Sequence, residues 1–289
     1  MQAMKSAVNR PTGADDFFVH HRMIEKTIRD SCIRYIADRR CPDGGYCFYR
    51  LNEPNAADTF FALDTLRLFG AVDADPATAD WLRARQGENG RYHLFDTGYY
   101  TLLALAVLGV PPVHDPVPWV RSVAPGETGA ERPVESESAI LRPYLYAHLC
   151  RRLGFALDPA VRRGLLAAVS APPSTLVEAH HALAVRAALG ARTDDDRAAQ
   201  ALGRCTHPDY GYVNVPGTAP AYLEHVAAGV ALAALLGVPY APASRGFVLR
   251  CQTPAGGFAR SVFGGAATLE TTWTAVRTLA LIDGGEEAG

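Results

Sequence analysis

Six runs rich in Ala and Leu follow one another along the chain, and each begins with an acidic residue. The acids are spaced 38 to 46 residues apart, and most runs end in Leu-Gly. A length of about 12–15 residues is too long for an ordinary strand and typical of a helix that stops at a left-handed glycine. The pattern therefore predicts six helices of one repeated kind. They run from Asp58 to Gly70, Asp96 to Gly109, Glu137 to Gly154, Glu178 to Gly190, Glu224 to Gly237 and Glu270 to Ile282.

A second, more polar helix is predicted before each of these runs. The preceding segments carry charge on one side, as at Arg83 and Arg85, whereas the runs after Asp96 and Glu224 are apolar nearly all round. An apolar circumference is typical of a buried inner helix, and a one-sided charge of an outer helix. Six such hairpins could form an open solenoid or a closed ring. The lack of a polar capping repeat at either end favours the ring.

The predicted fold class is therefore all-α, an α/α toroid of about six helical hairpins. We expect one toroid domain over residues 28–283. An N-terminal extension, residues 1–27, would precede it, and a flexible C-terminal tail, residues 284–289, would follow it.

The composition excludes several classes of protein. Hydrophobic residues make up 48% and charged residues 20% of the 289 positions, which excludes global disorder. A net charge of −2 provides no basic patch for nucleic acid. The longest apolar stretch, Val226 to Val238, is too short to span a bilayer, and residues 1–16 lack the apolar core of a signal peptide. We therefore expect a cytoplasmic protein, and its oligomeric state is left open.

A short motif recurs in the segments before the Ala/Leu runs. It reads aromatic–aliphatic–x3–Gln–x3–Gly–x–aromatic. Residues 81–92 and 247–258 fit it throughout, and residues 35–46 fit it with Arg40 in the place of Gln. The motif resembles the QW-type repeat of squalene and terpene cyclases and of protein prenyltransferase β subunits. The resemblance implies a toroid whose inner helices surround an apolar cavity for an isoprenoid or polycyclic molecule.

The acid that class II terpene cyclases use is missing from its usual place. The resemblance aligns their Asp-x-Asp-Asp-Thr motif with residues 55–59, of which Asp58 and Thr59 match. The middle Asp, which protonates an alkene in that family, corresponds to Ala57. Any proton donor must therefore be another residue.

The zinc ligands of protein prenyltransferases are missing too. Their Asp, Cys and His align with Glu224, Val226 and Glu270. Valine cannot bind zinc, which prefers thiolate, imidazole and carboxylate ligands. We therefore predict no metal and no cofactor. The alternative is a metal outside the family pattern, held by ligands among His93, Asp96, Glu224 and His225.

Four of the acids at the helix starts are predicted to be catalytic. Alternate helices of a toroid begin at the same end, so these acids should surround one rim of the cavity. Burial and mutual repulsion there raise the pKa of a carboxyl group, as a general acid requires. The alternative is that each acid only stabilises the start of its own helix. The four candidates are Asp58, Asp96, Glu224 and Glu270.

Two histidines are predicted to act beside these acids. His93 and His225 each lie within three residues of one of them. An imidazole could serve as a base or a metal ligand, or could be a hydrogen-bonded structural group. The same alternatives apply to a second pair, His180 and His181.

Aromatic residues cluster just after the helix starts and are predicted to bind the substrate. Their π faces could line an apolar cavity and stabilise cationic character. The alternative is ordinary core packing. The set consists of Phe60, Phe61, Tyr99, Tyr100, Tyr222 and Trp273.

These observations predict a single-barrel, terpene cyclase-like or prenyltransferase-like biosynthetic enzyme. Its substrate would be an apolar small molecule, and the resemblance implies an isoprenoid. Acid–base cyclisation or isomerisation is the predicted reaction. Two alternatives remain: a binding protein without chemistry, and a zinc-free prenyltransferase-like subunit that docks a protein partner. A cavity carboxyl group with a raised pKa would favour the enzyme.

Overall fold

Twelve helices alternate along the part of the chain that the computed structural model describes, residues 24–49, 52–125, 138–191 and 195–285. The Ala/Leu runs form α2 (Ala56–Leu68), α4 (Phe95–Leu108), α6 (Leu141–Arg152), α8 (Leu176–Ala188), α10 (Leu223–Leu236) and α12 (Leu269–Gly285). The segments before them form α1 (Lys26–Ala37), α3 (Pro76–Arg83), α5 (Val117–Ser122), α7 (Pro159–Ala168), α9 (Asp195–Arg204) and α11 (Ala243–Arg250). The prediction of an all-α fold is confirmed.

The sheet content of these ranges is one short hairpin between α9 and α10. Its strands are β1 (Thr206–His207) and β2 (Gly211–Tyr212), paired antiparallel with Thr206 opposite Tyr212. The hairpin occupies a weaker copy of the motif turn, in which Tyr210 stands in the place of the glycine, so it is a local feature of the repeat.

The even-numbered helices form a closed ring. Each of them contacts the next even-numbered helix along the chain, and α12 contacts α2. Odd-numbered helices lie outside this ring: α7 contacts α6 and α8, α9 contacts α8 and α10, and α11 contacts α10 and α12. The structure is therefore an α/α toroid with an inner and an outer layer, and the closed alternative is correct.

The inner helices begin and end as their sequences dictate. Gly109 and Gly237 end α4 and α10 with φ angles of 67° and 64°, the left-handed conformation that glycine adopts at helix ends. At the start of α2 the capping residue is Asn55, whose side chain accepts from the Asp58 N–H. Asp58 itself stands in the first turn, where the helix dipole stabilises a negative charge.

Helix α6 begins later than predicted. The Ala/Leu run starts at Glu137, which lies outside the described residues, but the helix starts at Leu141. Pro143 explains the difference, because proline is tolerated in the first turn of a helix and disrupts its interior. A helix begun at residue 137 would have Pro143 in its second turn.

The glutamine of the repeated motif joins one hairpin to the next. The Gln86 side chain donates to the His114 carbonyl at 3.1 Å and accepts from the His114 N–H at 2.8 Å. Gln252 donates to the Ser31 hydroxyl at 3.0 Å and so links the last hairpin to the first. Arg40, in the same place of the motif, forms a two-point ion pair with Asp75. The motif therefore specifies contacts between neighbouring units.

The motif glycine permits a close approach of two chain segments. Gly44 has a φ of 100°, and a Cβ there would lie 2.4 Å from the Ala77 carbonyl oxygen. Gly256 has a φ of 96° and would place a Cβ 2.4 Å from the Ser31 carbonyl oxygen. Only glycine combines this backbone conformation with so short a contact.

Candidate functional site

The four acids predicted at the rim stand in the first turns of consecutive helices of the ring, α10, α12, α2 and α4. The negative charges of Glu224 and Asp58 both raise the pKa of Glu270. Burial raises the pKa of Tyr100, and the charges of Glu270 and Asp96 raise it further. The acids therefore interact electrostatically along one arc of the rim.

The Asp58 carboxylate forms hydrogen bonds at the start of its own helix, α2. Its Oδ2 accepts hydrogen bonds from Asn55 Nδ2 at 2.7 Å and from the Phe48 N–H at 3.0 Å. Asp58 therefore ties the preceding loop to α2.

Glu224 is paired with a cation. Arg260, in the loop before α12, donates to the Glu224 Oε1 through Nε at 2.8 Å and also through its terminal nitrogen. The same guanidinium lies over the Tyr222 ring, 4.4 Å from its centre. Glu224 therefore serves as the counter-ion of Arg260.

Glu270 lacks such support. Among the described residues, no hydrogen bond or ion pair engages its carboxyl group. The side chain is accessible to water at the rim, yet desolvation by the surrounding protein raises its pKa. The charges of Glu224 and Asp58 raise the pKa further, and the charge of Arg260 opposes them without reversing the shift. Glu270 is thus the rim acid whose protonated form is most favoured.

The two predicted histidines lie in different surroundings. The Nδ1 of His225 accepts from the Tyr222 N–H at 3.3 Å. Burial lowers the pKa of His225, Glu224 opposes that effect, and Arg260 adds to it. His93 is exposed, and it belongs to the start of α4, opposite α10 in the ring. The described residues contain no group of three or more potential metal ligands.

Four of the six predicted aromatic residues form one packed cluster across α2, α4 and α12. The rings of Phe60, Phe61, Tyr100 and Trp273 lie 5.1–5.8 Å apart, centre to centre. Tyr99 joins them through Tyr100 at 4.9 Å. Tyr222 stands apart, between Arg260 and His225. The cluster lies along the same arc as Glu270.

A buried carboxylate, Asp64, holds this cluster in place. The indole Nε1 of Trp273 donates to Asp64 Oδ2 at 2.7 Å, and Arg67 donates to Asp64 Oδ1 at 2.7 Å. Burial alone would raise the pKa of Asp64, but Arg67, Trp273 and the charge of Arg277 together hold it below its usual range. Asp64 is therefore a permanent negative charge next to the aromatic rings.

The opposite wall of the ring is rich in histidine. Tyr144 of α6 stacks on the His181 ring of α8, 4.2 Å between centres and nearly parallel. His180 lies beside both rings, 5.7 Å from Tyr144 and 5.4 Å from His181. The hydroxyl of Tyr99 is 2.9 Å from His148 Nδ1. This wall consists of Tyr144, His148, His180 and His181.

These two walls face each other across the interior of the ring. Arg277 of α12 acts on Asp64 and also lowers the pKa of His180 on α8, although α10 separates α12 from α8. In the middle of α10, between them, the partly accessible positions are small, Ala227 and Ala231. Charges on α12 and α8 therefore interact across the interior of the ring in front of α10, and we call this interior the central cavity.

Comparison with known proteins places this architecture in a family. The family model of the prenyltransferase alpha-alpha toroid domain matches residues 17–112 and 98–288. The chain belongs to this family. It is also similar to a crystal structure of a protein from Actinoplanes, with 15% sequence identity and a TM-score of 0.57, over 89% of this chain and 98% of that one. At this identity the likeness concerns the fold alone. No curated protein matches the chain.

The residues of this toroid do not fit the zinc site of protein prenyltransferases. Val226, at the position of the zinc-binding cysteine, is fully buried and offers no ligand atom. Glu224, at the position of the aspartate, is already paired with Arg260. The site therefore supports no step that depends on zinc.

Several residues of these two walls were not among the predicted site residues. They come after the first turn of each inner helix, whereas the sequence analysis concentrated on the helix starts. Arg277 lies one helical turn after Trp273, on the same face of the helix. The helical period could therefore have identified Arg277 from the sequence. The group comprises Asp64, Arg67, Tyr144, His148 and Arg277.

None of the described helices is both long and apolar enough to span a bilayer.

Proposed function

We propose that this toroid domain is an enzyme that acts on an apolar small molecule in its central cavity by acid–base catalysis. Cyclisation or isomerisation is the reaction class, and an isoprenoid is the substrate class. The observation that supports this best is the Glu270 carboxyl group, which lies at the rim with a raised pKa and no protein partner among the described residues.

Glu270 would donate the proton. The other two acids with known contacts are engaged, Asp58 by backbone and side-chain donors and Glu224 by Arg260. A protonated carboxyl group is a general acid, and its efficiency increases as its pKa approaches the working pH. The neighbouring charges of Glu224 and Asp58 favour that form.

The aromatic cluster would stabilise the charge that protonation creates. Trp273 and Tyr100 are the partly accessible members of the cluster, and an aromatic face attracts a cation within about 6 Å. The Asp64 carboxylate behind Trp273 adds a fixed negative charge. The cation formed when Glu270 protonates an apolar molecule would therefore lie close to these aromatic faces and to this negative charge.

The test is to replace Glu270 by Gln and to assay conversion of farnesol, geranylgeraniol and their hydrocarbon analogues by gas chromatography and mass spectrometry. We expect the wild type to convert at least one of them, and Glu270→Gln to lower the rate by about 10²–10⁴-fold, the usual contribution of a general acid. Glu88→Gln, an exposed glutamate in the turn before α4, is the matched control.

The second candidate is a binding protein for an apolar ligand. It is favoured by the packing of Phe60, Phe61 and Tyr99, which are at most 6% exposed and so contribute mainly to the core. Tight binding of one of these compounds without conversion, unchanged in Glu270→Gln, would support this candidate.

The third alternative, a subunit that docks a protein partner, finds less support. It calls for a broad apolar face on the outer helices, but the large exposed apolar residues of the described chain lie in loops: Tyr49, Leu94, Val113, Val215, Val238 and Phe263. The cytoplasmic location remains a prediction from the sequence.

A further inference from the structure

The histidines His180 and His181 of α8 have no hydrogen-bond partner among the described residues. In His181, Nδ1 is fully buried, stacked with its ring against Tyr144. The other three nitrogens of the two rings are not among the buried unpartnered atoms of the described chain. Both side chains are partly accessible, so these nitrogens are open to a ligand in the interior of the ring.

The two rings are deep enough to remain uncharged. Burial lowers the pKa of His181 to about 4, although the nearby Glu178 opposes the shift. Burial, His181 and Arg277 lower the pKa of His180 well below its ordinary value. Near neutral pH both imidazoles are therefore neutral, so each ring has one N–H donor and one acceptor nitrogen.

Neighbouring polar groups do not satisfy these nitrogens. The carboxylate of Glu178, one turn before His181, accepts hydrogen bonds from other groups. The donors are Ser138 Oγ at 2.8 Å and the N–H and hydroxyl of Ser174 at 2.8 and 2.7 Å. Only Nδ1 of His181 is withdrawn from water, and the remaining nitrogens of the two rings are left without a protein partner among the described residues. A bound ligand would supply a partner for these accessible nitrogens.

We propose that His180 and His181 form a recognition site in the central cavity for an uncharged oxygen group, a hydroxyl or a carbonyl, of an otherwise apolar ligand. A neutral imidazole pair can donate to such an oxygen and accept from its proton. The Glu178 carboxylate beside His181 disfavours a negatively charged group at the same place, and the Arg277 guanidinium that acts on His180 disfavours a positively charged one. The apolar remainder of the ligand would lie toward the aromatic cluster on α2, α4 and α12.

This inference rests on the proposed function for the apolar part of the ligand and adds the substrate class: an oxygenated molecule rather than a pure hydrocarbon. It is independent of the identity of the catalytic acid. Binding can therefore be tested without turnover.

The experiment measures the dissociation constants of farnesol, β-farnesene and farnesoic acid, which share one chain length and carry a hydroxyl, no oxygen and a carboxylate. Tryptophan fluorescence reports binding, and each compound is delivered from the same cyclodextrin complex. We expect wild-type protein to bind farnesol most tightly. His180→Leu/His181→Leu should weaken farnesol by about tenfold or more and leave β-farnesene nearly unchanged, because only farnesol loses hydrogen bonds.

His114→Leu is the matched control, because His114 is exposed in the loop after α4 and contacts Gln86 only through its backbone. If the double variant does not fold, nitrogen NMR of the wild type decides the question. Bound farnesol should shift the imidazole nitrogen resonances of His180 and His181, assigned from single variants.

Four results would overturn the inference. Equal binding of farnesol and β-farnesene, or equal losses of both in the double variant, would contradict recognition of oxygen but keep the apolar-ligand proposal. Tightest binding of farnesoic acid would contradict the choice of an uncharged group. Bound farnesol that leaves both histidines unshifted would place the ligand elsewhere. Binding of none of the three compounds would contradict the proposed function as well.

Discussion

Two carboxyl groups on neighbouring inner helices behave differently because of what surrounds them. Desolvation by the surrounding protein acts to raise the pKa of both groups, of which Asp64 is buried and Glu270 is exposed at the rim. Asp64 receives an indole N–H and a guanidinium, which reverse the effect, whereas Glu270 faces the negative charges of Glu224 and Asp58, which increase it. One residue is thereby a fixed charge that orients Trp273, and the other is a candidate proton donor.

The neutral histidines should make stability depend on pH. The pKa of His181 is about 4 in the folded protein, below the ordinary value of 6.5, so the unfolded chain binds the extra proton between these values. Stability should therefore fall as the pH drops from 7 to 5, with His181 contributing about 2 kcal/mol to that loss.

Urea unfolding of the wild type and of His181→Leu at pH 7 and pH 5 measures this contribution. The variant should lose less stability on acidification than the wild type, and His114→Leu should behave as the wild type does. Equal losses in wild type and His181→Leu would mean that His181 titrates normally in the folded state.

At the scale of the elements, the run of apolar residues was enough to predict each inner helix and its place in the ring. The start of α6 was predicted too early, because Pro143 favours a helix that begins at Leu141 over one that begins at the acid at position 137. The hydrogen-bond partners of each rim acid could not be predicted, because they come from other segments of the chain. Examples are the Phe48 N–H for Asp58 and Arg260 for Glu224. Helix periodicity places a residue on a face, but loop geometry decides its partners.

The motif glycines should matter more than glycines that only end a helix. Gly44→Ala places a methyl group 2.4 Å from the Ala77 carbonyl, in addition to the left-handed backbone. Gly190, just after α8, has a φ of 58°, and a methyl group there would meet nothing within 4 Å. We expect about 1 kcal/mol of destabilisation for Gly190→Ala and about 3 kcal/mol or more for Gly44→Ala.

Chemical denaturation of the two variants compares these costs. Because both glycines have positive φ, the difference between the variants isolates the contact of the turn with the neighbouring outer helix. Similar destabilisation by the two substitutions would show that the turn can move away from α3 at little cost.

At the scale of the whole molecule, closure of the ring gives the first and last repeat units a neighbour on both sides. In an open array the first and last units have one neighbour each and fray independently. Here α12 contacts α2, the Tyr35 hydroxyl donates to the Ala267 carbonyl at 2.6 Å, and the Cys32 thiol lies 3.3 Å from the Gly256 carbonyl oxygen. The first and last hairpins are therefore joined as closely as internal neighbours.

Closure predicts that losing a contact at the seam, the junction between the last and the first hairpin, destabilises the fold as much as losing one between internal hairpins. Gln252→Ala removes the bond from the last hairpin to Ser31, and Gln86→Ala removes the equivalent link to His114. We expect each variant to lose about 1–3 kcal/mol, since these amides make two or three hydrogen bonds. Thermal unfolding followed by circular dichroism and by tryptophan fluorescence should remain one coincident transition in both. If Gln252→Ala were nearly neutral, or if it gave a separate early transition, the seam would be weaker than the internal junctions. The ring would then unfold from its ends as an open array does.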